Sequence, residues 1–163
     1  MAVGQTLGSR GGGLKQSFVT ALSATHSFDA EGVGTHRYEN GNWYKWVRYR
    51  KGVGSIAAVV GDVAYYYLAG GAQDDDVTSD LSDSVNIGAG VLQAIIADLE
   101  FGWVQIKGKA VLTTALTAGA DGNALTPVGS TDGTLDVSAA VTDAICAYAD
   151  DASAKEILCD FPW

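Results

Sequence analysis

His36-Arg37-Tyr38-Glu39-Asn40-Gly41-Asn42-Trp43-Tyr44-Lys45-Trp46-Val47-Arg48-Tyr49 is the stretch on which the fold turns. Two runs rich in aromatic and β-favouring residues flank Asn40-Gly41. That dipeptide suits a type I′ turn, in which both central residues take positive φ. The stretch therefore reads as a β-hairpin. A strand sends alternate side chains to opposite faces. On the second arm Trp43, Lys45, Val47 and Tyr49 then share one face, and Tyr44, Trp46 and Arg48 the other. Both faces carry aromatics. Either both are covered, or one presents an aromatic and basic patch to a partner.

Downstream, short apolar runs at 56–60, 63–68, 86–96, 101–107, 109–114, 123–127, 134–137, 143–149 and 154–160 read as strands. Turn formers separate them: Gly61-Asp62, Gly70-Gly71, the run from Gly119 to Asn123, Asp132-Gly133 and Asp150-Asp151. Strands this short, punctuated this often, indicate an all-β fold, a small barrel or sandwich. The run at 91–99 suits a strand or a turn or two of helix equally well, because periodicity does not separate the two over so short a length.

The body reads as two related halves about 57 residues apart, which suggests an internal duplication. Trp46-Val47 matches Trp103-Val104. In each half the strand leads through a small-residue loop to a Gly and Asp turn and an apolar strand, 63–68 in the first and 123–128 in the second. An aspartate-bearing loop, a further strand (86–91 and 143–148) and a closing strand (101–106 and 154–161) follow. Pairing two such halves hides edge strands.

Upstream, residues 1–34 hold Gly4, Gly8, Gly11, Gly12, Gly13, Gly32 and Gly34 among Ser and Thr, with few apolar residues. Such a segment buries too little surface to offset its ordering entropy. The 163 residues therefore divide into an extended N-terminal arm, 1–34, ordered only against a partner, and a β body, 35–163. Charge divides the same way. Of ten basic and nineteen acidic residues, residues 1–51 hold seven basic (Arg10, Lys15, Arg37, Lys45, Arg48, Arg50, Lys51) and three acidic (Asp29, Glu31, Glu39). This reads either as a basic arm that docks on an acidic protein surface or as an acidic solvated face with no such meaning.

Composition also narrows the chemistry. A net charge of −9 would repel phosphate, so no nucleic-acid partner is expected. No apolar run approaches the ~18 residues that span a bilayer, and Met1 to Gly13 lacks the pattern of a signal peptide. The expectation is a chain made in a cytoplasm, with no membrane partner. His26 and His36 are the only histidines and neither sits in a nucleophile motif, so no enzyme and no catalytic residue is expected. Gly11-Gly12-Gly13 with Lys15 lacks the Walker spacing and reads as a tether. Asp74, Asp76, Thr78 and Asp80 would offer oxygens to Ca²⁺. An EF-hand loop, however, needs Gly where Ser79 stands and Glu where Val85 stands. The acidic run is expected to be a solvated loop, with no metal and no cofactor. Cys146 and Cys159 fall in expected strands without a metal spacing, as free buried thiols or as a disulfide.

Phe101-Gly102-Trp103-Val104-Gln105-Ile106-Lys107-Gly108-Lys109-Ala110-Val111 resembles the G-W-V-x-V-x-G-x-A strand pair of bacteriophage capsid decoration, or cement, proteins. The alanine- and threonine-rich loop at 113–118, the turn at 119–127 and Gly133-Thr134-Leu135-Asp136-Val137-Ser138-Ala139 follow in that family's order. Residues 34–49 are similar to a G-T…D-G-x-x-Y-x-Y-V stretch of phage virion proteins. The likeness spans about 34–160 and is clearest over 101–160. Cys146-Ala147 departs from the family's Gly-Val pair, and the glycine-rich arm is unusual. The resemblance implies a virion protein on the capsid exterior, a homotrimer that bridges neighbouring major capsid subunits and stabilises the head. On that reading the capsid contacts fall on Arg10, Lys15, Phe18, Arg37, Trp43, Arg48, Tyr49, Phe161 and Trp163, with Trp46 reading better as core. The alternative is a carbohydrate- or receptor-binding β module of a virion whose aromatics stack on sugars.

Overall fold

The computed structural model describes residues 17–68 and 75–162. The hairpin forms as its turn chemistry dictates. β1 (His36–Glu39) and β2 (Asn42–Tyr49) are antiparallel, joined by Asn40 and Gly41 at φ 51° and 85°. β3 (Val63–Tyr67), β4 (Asp76–Thr78), a 3-10 turn (Leu81–Asp83), β5 (Ser84–Leu92) and β6 (Phe101–Val111) follow. The chain ends with β7 (Ala124–Thr126), β8 (Asp136–Val137), β9 (Ala147–Asp151) and β10 (Glu156–Asp160). The fold is all-β.

Five of these strands close on themselves. β2 pairs with β4, β4 with β3, β3 with β5, β5 with β6, and β6 returns to β2. From β6 the sheet runs on through β10, β9 and β7 to β8. This order repeats itself. The antiparallel pairs β3–β4, β3–β5, β5–β6 and β2–β6 recur as β7–β8, β7–β9, β9–β10 and β6–β10. The two halves share β6. Trp46 and Trp103, matched by the sequence repeat, are direct partners across β2 and β6.

The halves close differently. The first is shut by the parallel pair β2–β4, with Arg48 beside Asp76 and Tyr49 beside Val77. The second has irregular backbone in that place. The Thr117 N–H donates to the Leu135 carbonyl at 3.0 Å, and Thr134 Oγ1 to that of Ala115 at 2.8 Å. One core serves both halves: Val47, Tyr49, Val63, Tyr65 and Val91 meet Leu125, Leu135, Ile157 and Phe161. The Thr134 N–H reaches across it to the Tyr65 hydroxyl at 2.8 Å.

Several expectations are revised. The run at 56–60 is a loop, because the Ile56 N–H donates to the Lys51 carbonyl and the Val59 carbonyl accepts from the Asp62 N–H, both closing local turns. The run at 101–107 and the start of the run at 109–114 join into one strand ending at Val111, through Gly108, whose φ of 96° and close approach to Asn42 exclude a side chain; 112–114 lie beyond it. Residues 93–99 leave the strand without becoming a helix. The acidic run is no solvated loop. Asp76, Thr78, Ser79 and Asp80 are buried, and Asp76 opens β4. Asp74 lies outside the described residues, as does Gly70-Gly71.

Residues 17–34 have no regular strand or helix, yet they lie on their own subunit and not in wait for another. They strap the β2/β6 face opposite the main core, where Phe18, Leu22, Ala30 and Val33 pack against Tyr44, Trp46 and Trp103. Residues 1–16 of the expected arm lie outside the described residues.

Candidate interaction surface

The strap is held by polar bonds that its composition alone does not reveal. The two indoles, packed edge to face with ring centroids 5.1 Å apart, leave two buried N–H donors to satisfy. The Trp46 N–H finds Asp29 Oδ1 at 2.9 Å, and the Trp103 N–H finds Thr20 Oγ1 at 2.8 Å. Glu31 Oε1 in turn accepts from the Thr20 hydroxyl and from the amides of Thr20 and Val19. A two-way backbone bridge joins His26 to Phe101. Arg37 donates to the Thr20 carbonyl at 2.7 Å, pairs with Glu39, and lies over the rings of Phe18 and Trp103. The strap therefore covers one face of β2 while the main core covers the other, and residues 44–47 are all buried.

The basic front and the acidic remainder meet inside the molecule. Arg48 grips Asp76 through both carboxylate oxygens, at 2.6 and 2.8 Å, and Arg50 adds a third bond at 2.5 Å. Burial works against the Asp76 charge, but the two guanidinium groups outweigh it and hold the carboxyl below its ordinary range. Lys45 pairs with Asp75 and Tyr66. Burial opposes its charge too, and those two bonds hold it above the ordinary lysine range.

These contacts sort the expected binding residues. Tyr49 and Phe161 present no surface, since both are fully buried. The Tyr49 hydroxyl donates to the Ile56 carbonyl and accepts from the Ser79 amide. Phe161 fills the space above Gly88, where a Cβ would come within 2.7 Å of its ring. Phe18 and Arg37 belong to the strap contact, and Arg48 to the Asp76 pair. Trp43 stays at the surface, 36% exposed, against Tyr38 at 61%, with ring centroids 5.2 Å apart. Trp46 is core. Arg10, Lys15 and Trp163 lie outside the described residues.

At the hairpin tip and strap the exposed apolar residues are thus Tyr38, Trp43, Val19 and Phe28, and loops of the same half expose others, among them Val53 and Ile95. Only Trp43 of these was singled out by sequence. The hairpin pattern itself contained Tyr38, whose register places it opposite Trp43. The second half shows a different surface. On the outside of β9 and β10, Tyr148 and Leu158 are cross-strand neighbours beside Lys109, which pairs with Asp150 and Glu156.

A cleft of about 640 Å³ lies between the halves, lined by Gly54, Ile56, Asp80, Ser82, Asn86 and Asp132 among others. Its carboxylates fasten loops. Asp80 accepts from the Gly54 amide and from Ser82, and Asp132 from the Leu81 amide. No cluster of His, Cys, Asp and Glu that would hold a metal occurs among the described residues. Cys146 and Cys159 are free and buried. Burial pushes the Cys159 thiol up to about 12 and the Cys146 thiol up as well. No helix among the described residues is long and apolar enough to cross a membrane. Compared with known proteins, the chain matches no family model, no curated protein and no solved structure.

Proposed function

We propose that this chain is a non-enzymatic bacteriophage capsid decoration protein, made in the host cytoplasm. It binds the outside of the assembled head as a homotrimer and bridges neighbouring major capsid subunits. The resemblance of residues 101–160 motivates the reading. The observation that carries it is the division of labour in the front half. Arg37, Lys45, Arg48 and Arg50 are spent on internal acids, while Tyr38, Trp43, Val19 and Phe28 stand outward. Exposed aromatic and apolar side chains on a braced scaffold suit a protein partner. A protein that binds the lattice and not the free subunit stabilises the shell by mass action, and repetition over many sites adds avidity.

Co-sedimentation tests this. The chain pellets with assembled heads, saturates at symmetry-related copies and leaves unassembled subunits in the supernatant. Trp43→Ala weakens binding about tenfold or more, as loss of an aromatic anchor does. A chain that stays in the supernatant with heads present contradicts the reading.

The exposed, adjacent Tyr38–Trp43 pair, its rings tilted at 52°, also favours a second reading, a sugar-binding module of the virion. Retardation in a glycan affinity gel, abolished by Trp43→Ala, would select it.

A further inference from the structure

Lys45 is out of place for a lysine. It shares the face of Val47 and Tyr49, and its side chain is 5% exposed. A buried ammonium is costly unless paired. Its Nζ lies 2.5 Å from Asp75 Oδ1 and 2.8 Å from the Tyr66 hydroxyl. The Asp75 carboxylate is fixed in turn. Its other oxygen rests on Gly34, where a Cβ would come within 2.9 Å. Its backbone, at a positive φ of 62°, accepts the Arg48 amide at 3.1 Å. His36 is the cross-strand partner of Lys45. Burial and then the Lys45 charge keep its imidazole below the ordinary range, so it is neutral at pH 7.

The pair also occupies a telling place in the fold. It sits beside the two-residue parallel pairing of β2 and β4 that shuts the first half. This is the shortest step in that ring of strands, together with the β3–β4 and β5–β6 pairings.

We propose that Lys45 and Asp75 condense into an intramolecular isopeptide bond. The pair rests as ammonium and carboxylate, and the reactive form is the minor one in which Nζ has passed a proton to Oδ1, leaving a neutral amine beside a neutral acid. Nζ then attacks Cγ. The Nζ–Cγ bond forms, one Cγ–Oδ bond breaks, and the oxygen departs as water with the two protons that nitrogen gives up. The step is redox-neutral and needs no co-reactant. Two groups held in contact, the amine 5% and the carboxylate 19% exposed, react at an effective concentration far above any in solution. The product also removes a buried ion pair whose desolvation opposes folding. The result is a ring of strands closed by a covalent bond, which suits a protein under mechanical load and does not depend on what its partner is.

Intact-mass spectrometry of the denatured full chain is the test. The expected mass is one water below that of the sequence. A tryptic digest is expected to leave the bond after Lys45 uncut and to join the peptides that carry Lys45 and Asp75, in a link that hydroxylamine does not open. Lys45→Arg restores the full mass, read on denatured chain so that folding does not enter. Wild-type chain at the full sequence mass overturns the proposal. So does a water loss that survives in Lys45→Arg, or one that hydroxylamine opens at Asp121-Gly122 or Asp132-Gly133, which marks a succinimide.

Discussion

The two halves of the molecule follow one pairing order and finish it differently. In the first, β4 meets β2 in register and three charged side chains lock the contact. In the second, β8 is two residues long and only loop bonds near Leu135 complete the circuit. The Trp46–Trp103 pair stands at their junction, covered by the strap. The two halves thus share a connectivity and differ in its last pairing. The half that keeps the pairing part-buries its charges, with the Asp76 carboxylate covered and Arg48 and Arg50 about a third exposed. The other keeps its ion pairs on an exposed sheet face.

Substitutions separate the halves by size of effect. Trp103→Ala strikes both, because it unpacks Trp46 and frees Thr20 from its indole partner. It is expected to cost about 3–5 kcal/mol in urea unfolding, the range for a large aromatic lost from a core. Leu125→Ala, in the loosely closed half, is expected at about 2–3 kcal/mol because irregular neighbours relax more readily. If it costs as much as Trp103→Ala, the halves are equally rigid.

Asp76→Ala unlocks the first half and leaves Arg48 and Arg50 without their acceptor, at about 1–3 kcal/mol. Its pH signature is specific. The folded Asp76 carboxyl lies below its ordinary value of 3.8. Its contribution is therefore present above about pH 4 and is lost as pH falls through the lower folded value. The difference between wild type and Asp76→Ala should shrink only in that acid window.

Asp62 carries the opposite sign. Burial raises its carboxyl above 3.8, although Thr114 donates to it from both hydroxyl and amide. Protonated Asp62 favours the fold below about pH 4, and that advantage is lost as pH rises through the folded value. Asp62→Asn keeps an acceptor for Thr114 without the charge. It is expected to be neutral or up to about 1 kcal/mol more stable at pH 7, with the gap closing in acid. Clear destabilisation at pH 7 would show that the carboxylate charge is needed. Last, Lys109→Ala is expected to leave the melting temperature unchanged within error, since its two ion pairs are solvated.

Local chemistry made part of this molecule legible in its sequence. Asn40-Gly41 fixed its own turn, and alternation along 42–49 placed Trp46 inside. The repeat was visible because Trp-Val recurs in strands that pair directly. What escaped depends on partners far along the chain. The acidic run reads as solvated because Arg48 and Arg50, which neutralise Asp76, lie 28 and 26 residues upstream, on another strand and a loop. Residues 17–34 read as loose because their own composition offers few apolar groups. The indole N–H donors that order Asp29 and Thr20 belong to strands whose registry no local pattern reveals. Tyr49 and Phe161 looked like contact residues for the same reason, since the Gly88 gap and the Ile56 and Ser79 backbone that receive them are remote in sequence.

Hydrogen–deuterium exchange on the chain alone and on chain bound to assembled heads tests the proposed division of surfaces most directly. The expected result is new protection at the β1–β2 tip around Tyr38 and Trp43 and across residues 17–34, with the amides of β9 and β10 unchanged. Protection confined to β9 and β10, or none anywhere on bound chain, would contradict it.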